Sequence, residues 1–209
     1  MSPAAQAQPR RVVPPRVVLA TGNAGKQREL AALLAPLGIE IILQTALGIA
    51  SAEETGDTFE ANALLKARYA AREARLPALA DDSGLEVDAL DGRPGVWSAR
   101  YAGPDATDQA NNAKLLAELD KRDDRRAHYV CVLVLLRGAS DPQPVIAEGE
   151  WHGEILAAPR GAGGFGYDPL FLVPSANCSS AELSEEAKNA VSHRAVAFAK
   201  LAERLRAGL

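Results

Sequence analysis

The chain has 209 residues, of which 47% are hydrophobic and 24% charged, a balance that fits one large or two small packed lobes and argues against a disordered chain or a membrane span. The formal net charge of -4, with no basic cluster beyond the self-neutralised Lys121–Arg126 run, argues against a nucleic-acid polymer as partner. It suits a small anionic ligand, such as a free nucleotide, brought in with a metal cation.

Residues 1–15 hold Arg10, Arg11 and several prolines, with no apolar stretch long enough for a signal peptide. They read as a disordered tail on a cytoplasmic protein, followed by a single domain over 16–209. Val17–Ala20 is an apolar strand that runs into Thr21-Gly22-Asn23-Ala24-Gly25-Lys26 and then a helical pattern to Leu37. In that helix Leu30, Leu33, Leu34 and Leu37 share one face, and Gly38 ends it. Ile39–Leu43 then completes a β-α-β start.

Asp57 with Glu60 resembles a capping signal for a helix to about Ala74, with Phe59, Ala63, Ala67 and Ala70 as its buried stripe. Ala78–Ala80 reads as a short strand that delivers Asp81-Asp82-Ser83-Gly84 at a turn, and Leu85–Leu90 as a second strand. An amphipathic helix spans 107–120 through Ala110, Leu115, Leu116 and Leu119. The apolar run 129–136 should be the central strand, with Cys131 in the core. The glycines at 149 and 153 suggest a bent or bulged strand over 145–156; another strand follows at 170–173. Cys178 falls in a polar loop, so the two cysteines suggest neither disulfide nor zinc site. Ser184 and Ser192 are expected N-caps, the last helix turning Val196, Ala199, Leu201 and Leu205 inward.

Several polar clusters exceed what packing needs. The glycine-lysine turn after the first strand is suited to phosphate: glycines let the backbone approach, and the helix start adds free N–H groups and a dipole to the Lys26 charge. It is not a P-loop, because only two residues separate its glycines and Gln27 replaces the Ser or Thr that would reach magnesium. Glu53-Glu54 and Asp81-Asp82 are adjacent carboxylates of the kind that hold a hard divalent ion, and one beside it could take a proton from water. The segment 161–169 satisfies G-x-G-x-x-G, but no strand precedes it and a strand rather than a helix follows. It reads as a hinged wall offering Phe165 and Tyr167 for stacking. Lys188 with Ser192-His193-Arg194 suits an acceptor-rich ligand.

Six ordered motifs, TGNAGK at 21–26, SAEETGDTFEANALLKAR at 51–68, ADDSGL at 80–85, GVWSARYAG at 95–103, GGFGYDP at 163–169 and KNAVSHR at 188–194, resemble the Ham1-type inosine and xanthosine triphosphate pyrophosphatases. The resemblance runs from Val17 to the C-terminus. It implies a two-lobed mixed α/β fold with a long central mixed sheet and a cleft between the lobes, working as a homodimer. The implied reaction converts ITP, dITP or XTP to the monophosphate and pyrophosphate with Mg2+. By the same resemblance, Thr21, Gly22, Asn23, Ala24, Gly25 and Lys26 grip the triphosphate, with Lys66 a further candidate. Glu53 and Asp82 hold the metal, Asp82 accepts the proton, and Ser83 touches substrate. Phe165, Gly166, Tyr167, Asp168, Lys188, His193 and Arg194 form the nucleotide and base pocket. A donor such as Arg194 at purine O6 would reject ATP but not GTP. A non-hydrolysing nucleotide module or a pyrimidine pyrophosphatase are the alternatives.

Overall fold

The computed structural model describes residues 14–207; of the expected tail, all but Pro14 and Pro15 lies outside the described residues. One seven-stranded sheet organises the chain, in the order β2-β1-β3-β4-β5-β6-β7. Strand β1 (Arg16–Ala20) leads into helix α1 (Ala24–Leu34), and β2 (Glu40–Leu43) returns parallel to β1. Helix α2 (Phe59–Ala74) then crosses back to β3 (Ala78–Val87), which joins the other side of β1, also parallel. From there the sheet turns antiparallel: β4 (Arg126–Leu136), β5 (Val145–Ile155), β6 (Phe171–Val173) and β7 (Cys178–Ser179) follow as a meander. Helix α3 (Asp108–Glu118) lies between β3 and β4; α4 (Glu185–Val191) and α5 (His193–Ala207) close the chain.

Each face of the sheet is covered for a readable reason. Helix α2 presents Ala63, Ala67, Ala70 and Ala71, and these small side chains bring its axis close to Val18, Ala80, Val132 and Val134. Helices α1 and α5 bury Leu30, Leu34, Leu201 and Leu205 against Leu19, Leu79, Leu133 and Leu135 on the opposite face, each leucine contributing about 1.5–3 kcal/mol. A separate core at the far ends of the long strands gathers Leu85, Leu115, Leu119, Tyr129, Trp151 and Phe171. Strand β3 contributes to all three clusters, so Asp81, Asp82 and Ser83 fall between Ala78–Ala80, packed on the two faces at one end, and Leu85 in the core at the other. This is the expected mixed α/β architecture.

Several local expectations are corrected. Asp81–Gly84 is no turn: β3 runs unbroken for 10 residues, paired with β4 from Ala78↔Leu136 to Val87↔Ala127. Continuous pairing outweighs the turn propensity of Asp-Ser-Gly. Gly84 is there because a Cβ would overlap Gly95 O and Ser98 Oγ of the 3-10 segment Gly95–Arg100. Likewise β5 pairs with β4 in one register from Arg126↔Glu154 to Leu135↔Val145 without a bulge. Its glycines make room for neighbours, Gly149 for the backbone of α5 and Gly153 for β6. Thr58, not Asp57, caps α2 by accepting from Ala61 N. In α3 Asn111, bonded to Ala102 N and Ala99 O, is buried along with Leu115, while Ala110 is exposed. In α5 Ala197 faces inward and Ala199 outward, with Val196 only half-buried. Cys178 belongs to β7, and Ser184 and Ser192 cap α4 and α5 as expected.

Candidate active site

The turn after β1 is built as an anion cradle. Asn23 caps α1, its side chain accepting from Lys26 N at 3.0 Å, and Thr21 is fixed by Asn23 N on its hydroxyl and Gln27 Nε2 on its carbonyl. With Lys26 N capped, the amides of Ala24 and Gly25 remain as the free donors of the first turn, at the positive end of the dipole. Lys26 Nζ reaches back to Asp81 Oδ1 at 2.6 Å. An ammonium has three donors, so the remaining two are available to a ligand.

Because successive side chains of a strand alternate, Asp81 and Asp82 face opposite sides of the sheet. Asp82 faces α2, where Lys66 Nζ lies 2.6 Å from its Oδ1 and 2.9 Å from Glu54 Oε1. Arg100 adds a contact of 2.9 Å to Glu54 Oε2. Burial raises the Asp82 carboxyl above its ordinary value despite Lys66 and Lys26 beside it. Burial also works against the charge on Lys66, but Asp82 and Glu54 win and raise it. Glu54 is lowered, its burial overcome by Lys66 and Arg100.

Asp81 faces α5. It is fully buried among cations: Arg194 Nε bonds its Oδ2 at 2.8 Å, opposite Lys26 on Oδ1. Burial alone would raise its carboxyl, yet Arg194 and Lys26 hold it well below the usual range. Arg194 also bonds Ser83 Oγ at 2.9 Å and pairs with Glu29 of α1. Glu29 in turn meets Lys188 at 2.9 Å, and Lys188 meets Asp168 at 2.5 Å. An alternating chain of charges thus ties β3, α1, α4, α5 and the glycine loop together.

Between the Asp81 network and the glycine loop lies a cleft lined by Lys26, Ser83, Tyr129, Phe165, His193 and Arg194 among others. Phe165 packs on Gly25, where no Cβ would fit, and Lys188 Nζ sits 4.8 Å from its ring centroid. His193 stacks on Tyr129 with centroids 4.7 Å apart and has a buried Nδ1 without a protein partner. Burial and the Arg194 charge keep its imidazole neutral well below the ordinary histidine value.

Most residues expected in the site therefore converge. Tyr167 is the partial exception, since it lines the cleft while its hydroxyl donates to Ser98 O at 2.8 Å inside the core. Asp168 is buried as a brace, accepting from Phe165 N, Ser180 Oγ and Lys188. Glu53 is exposed and takes no part in these networks; the neighbouring Glu54 does. Among the described residues no three His, Cys, Asp or Glu side chains form a ready metal cage. The oxygens of Asp82 and Glu54 nevertheless converge on one cation, the Lys66 ammonium, and hard carboxylate donors of this kind fit a hard divalent ion. Glu29, Arg100 and Tyr129 were not singled out from sequence. Glu29 alone left a trace there, a carboxylate one helical turn from Lys26.

A model of the Ham1 family matches residues 17–204. The dITP/XTP pyrophosphatase of Ralstonia nicotianae is 61% identical over 194 residues, covering 91% of this chain and 96% of that protein. The dITP/XTP pyrophosphatase of Escherichia coli K12 is 57% identical over 195 residues, covering 92% and 99%. Among solved structures, a HAM1 protein from Coxiella burnetii is similar with a TM-score of 0.85 at 47% identity, covering 92% of this chain and 98% of that one. The Ham1 protein of Staphylococcus aureus matches with a TM-score of 0.81 at 39% identity, covering 93% and 100%.

Proposed function

The chain belongs to the Ham1 family, and we propose that it hydrolyses the non-canonical purine triphosphates ITP, dITP and XTP to the monophosphate and pyrophosphate. The observation that carries this reading is the step from Asp81 to Asp82. One carboxylate anchors Lys26 of the anion turn and Arg194 of the cleft, and the next presents a proton acceptor on the other side of the sheet.

The triphosphate lies on the amides of Ala24 and Gly25 and on Lys26, with Lys66 beside Asp82. Holding the polyphosphate against this fixed array converts an encounter into an oriented displacement. Asp82 accepts a proton from water, the water oxygen bonds to phosphorus, the α–β anhydride breaks, and pyrophosphate leaves. Its raised carboxyl accepts a proton more readily than an ordinary exposed aspartate. Asp82 and Glu54, with Glu53 next to Glu54 in the chain, would hold Mg2+. When bound, such an ion neutralises phosphate charge and acidifies water. On the base side, hypoxanthine and xanthine present an acceptor at O6 where adenine presents an amino donor. Lys188 and the spare N–H groups of Arg194 match the acceptor, and a donor facing them is left unpaired. A cytoplasmic homodimer acting on free nucleotides belongs to the same reading, and the net charge of -4 supports nucleotides over polymers.

Incubation with ITP, XTP, dUTP, GTP or ATP and magnesium should release pyrophosphate mainly from ITP and XTP. Asp82→Asn should lower turnover by at least about 100-fold while nucleotide still binds. Near wild-type rates would reject Asp82 as the acceptor, and preference for dUTP would reject the purine reading.

A further inference from the structure

The glycine loop is gripped by a helix more than fifty residues earlier in the chain. Gly166 N donates to Asp108 Oδ2 at 2.6 Å, and Asn112 Nδ2 donates to Gly166 O at 3.0 Å. Residues four apart on a helix share a face, so one turn of α3 holds both backbone groups of a single residue. Gly166 has φ +62, a left-handed conformation open to glycine without a Cβ penalty. Asn112 keeps this contact although its own Oδ1 is buried without a donor, an arrangement that costs free energy and asks for an explanation. Gly166 stands between Phe165, which packs on Gly25, and Tyr167, which is bonded to Ser98. Asp168, two residues on, braces Lys188.

We propose that Asp108 and Asn112 are positioning residues for the purine. By fixing Gly166 they set how far Phe165 stands into the cleft and where Asp168 holds Lys188. Neither needs to touch the reacting phosphate, so their effect falls on nucleotide binding rather than on the proton transfer at Asp82. The inference rests on the reading of the cleft as a purine triphosphate site.

The test compares Asp108→Ala, Asn112→Ala and Asp108→Asn with the wild-type protein. Backbone amide exchange over 161–168 is followed without nucleotide, and KM and kcat are measured for ITP. Both alanine variants should exchange faster in the loop and raise KM, Asp108→Ala by about tenfold, the range expected for losing a hydrogen bond to a charged group, and Asn112→Ala, which loses a neutral bond, by about threefold to tenfold. Their kcat should move far less. Asp108→Asn keeps an oxygen that accepts from Gly166 N and should recover most of the affinity. Loss of kcat in step with a lower Tm at unchanged KM would assign the residues a merely structural role and overturn the proposal. So would faster loop exchange with KM unmoved. If the wild-type protein releases no pyrophosphate from ITP, the function itself is overturned, a result that is read before any variant is compared.

Discussion

Substituting Gly149 by alanine tests how the sheet positions the cleft. A Cβ at this point of β5 would stand within 3.0 Å of three backbone atoms of α5, Ala197 N, Ala197 Cα and His193 O. No rotamer change relieves such a contact, so the helix must move away from the sheet. Overpacking a core costs about 1–3 kcal/mol, and a clash with backbone alone belongs at the upper end. For a chain of this size about 3 kcal/mol lowers Tm by roughly 6–12 °C. The displaced segment is the start of α5, which carries His193 and Arg194 into the cleft, so KM for ITP should rise as well. The control is Gly138→Ala, where nothing stands within 4 Å of the added carbon and the change should stay within about 0.5 kcal/mol. Thermal and urea unfolding of both variants decide the matter. If Gly149→Ala unfolds with the wild type, the close approach of α5 to β5 is not what requires glycine.

Two further outcomes follow from the buried charges. Arg194→Met strips Asp81 and Glu29 of a shared partner and should cost about 3–5 kcal/mol. Selectivity measured on this variant then reports folding before it reports base recognition, unless urea unfolding shows a loss below about 1 kcal/mol, which would refute the role given to the network. In acid, Asp81 is held well below its ordinary value of 3.8, so its contribution is fully present above that pH. It is lost as pH falls through the lower folded value, because the unfolded chain then binds the proton more readily. Asp81→Asn should therefore flatten the dependence of stability on pH below 3.8, measured by urea midpoints; an unchanged slope would contradict the assignment.

Periodicity made the first half of the fold legible. The β-α-β start, the alanine stripe of α2 and the central place of β4 each follow from apolar spacing, which is a local signal. What the spacing concealed was long-range. Asp81–Gly84 carries the composition of a turn, and only the facing strand β4 and the packing of Ser98 on Gly84 make it a strand. Gly149 and Gly153 look like bulges until the elements pressed against them are known. In the site, the glycine-lysine turn and the Asp81-Asp82 pair were visible because they are contiguous. The link through Glu29 was not, because its partners Arg194 and Lys188 lie more than 150 residues away along the chain and periodicity is blind to pairing at that distance. Which of Glu53 and Glu54 joins the Asp82 network likewise depends on which one Lys66 of α2 can reach.

The ion pairs around the cleft are balanced before any ligand arrives. Lys26, Arg194 and Lys188 are matched by Asp81, Glu29 and Asp168, and Lys66 and Arg100 by Asp82 and Glu54. A polyphosphate entering such electroneutral surroundings finds oriented dipoles but no surplus of positive charge. It has to carry its own counterion with it, so recognition should extend to the metal complex of the nucleotide rather than to the bare polyanion.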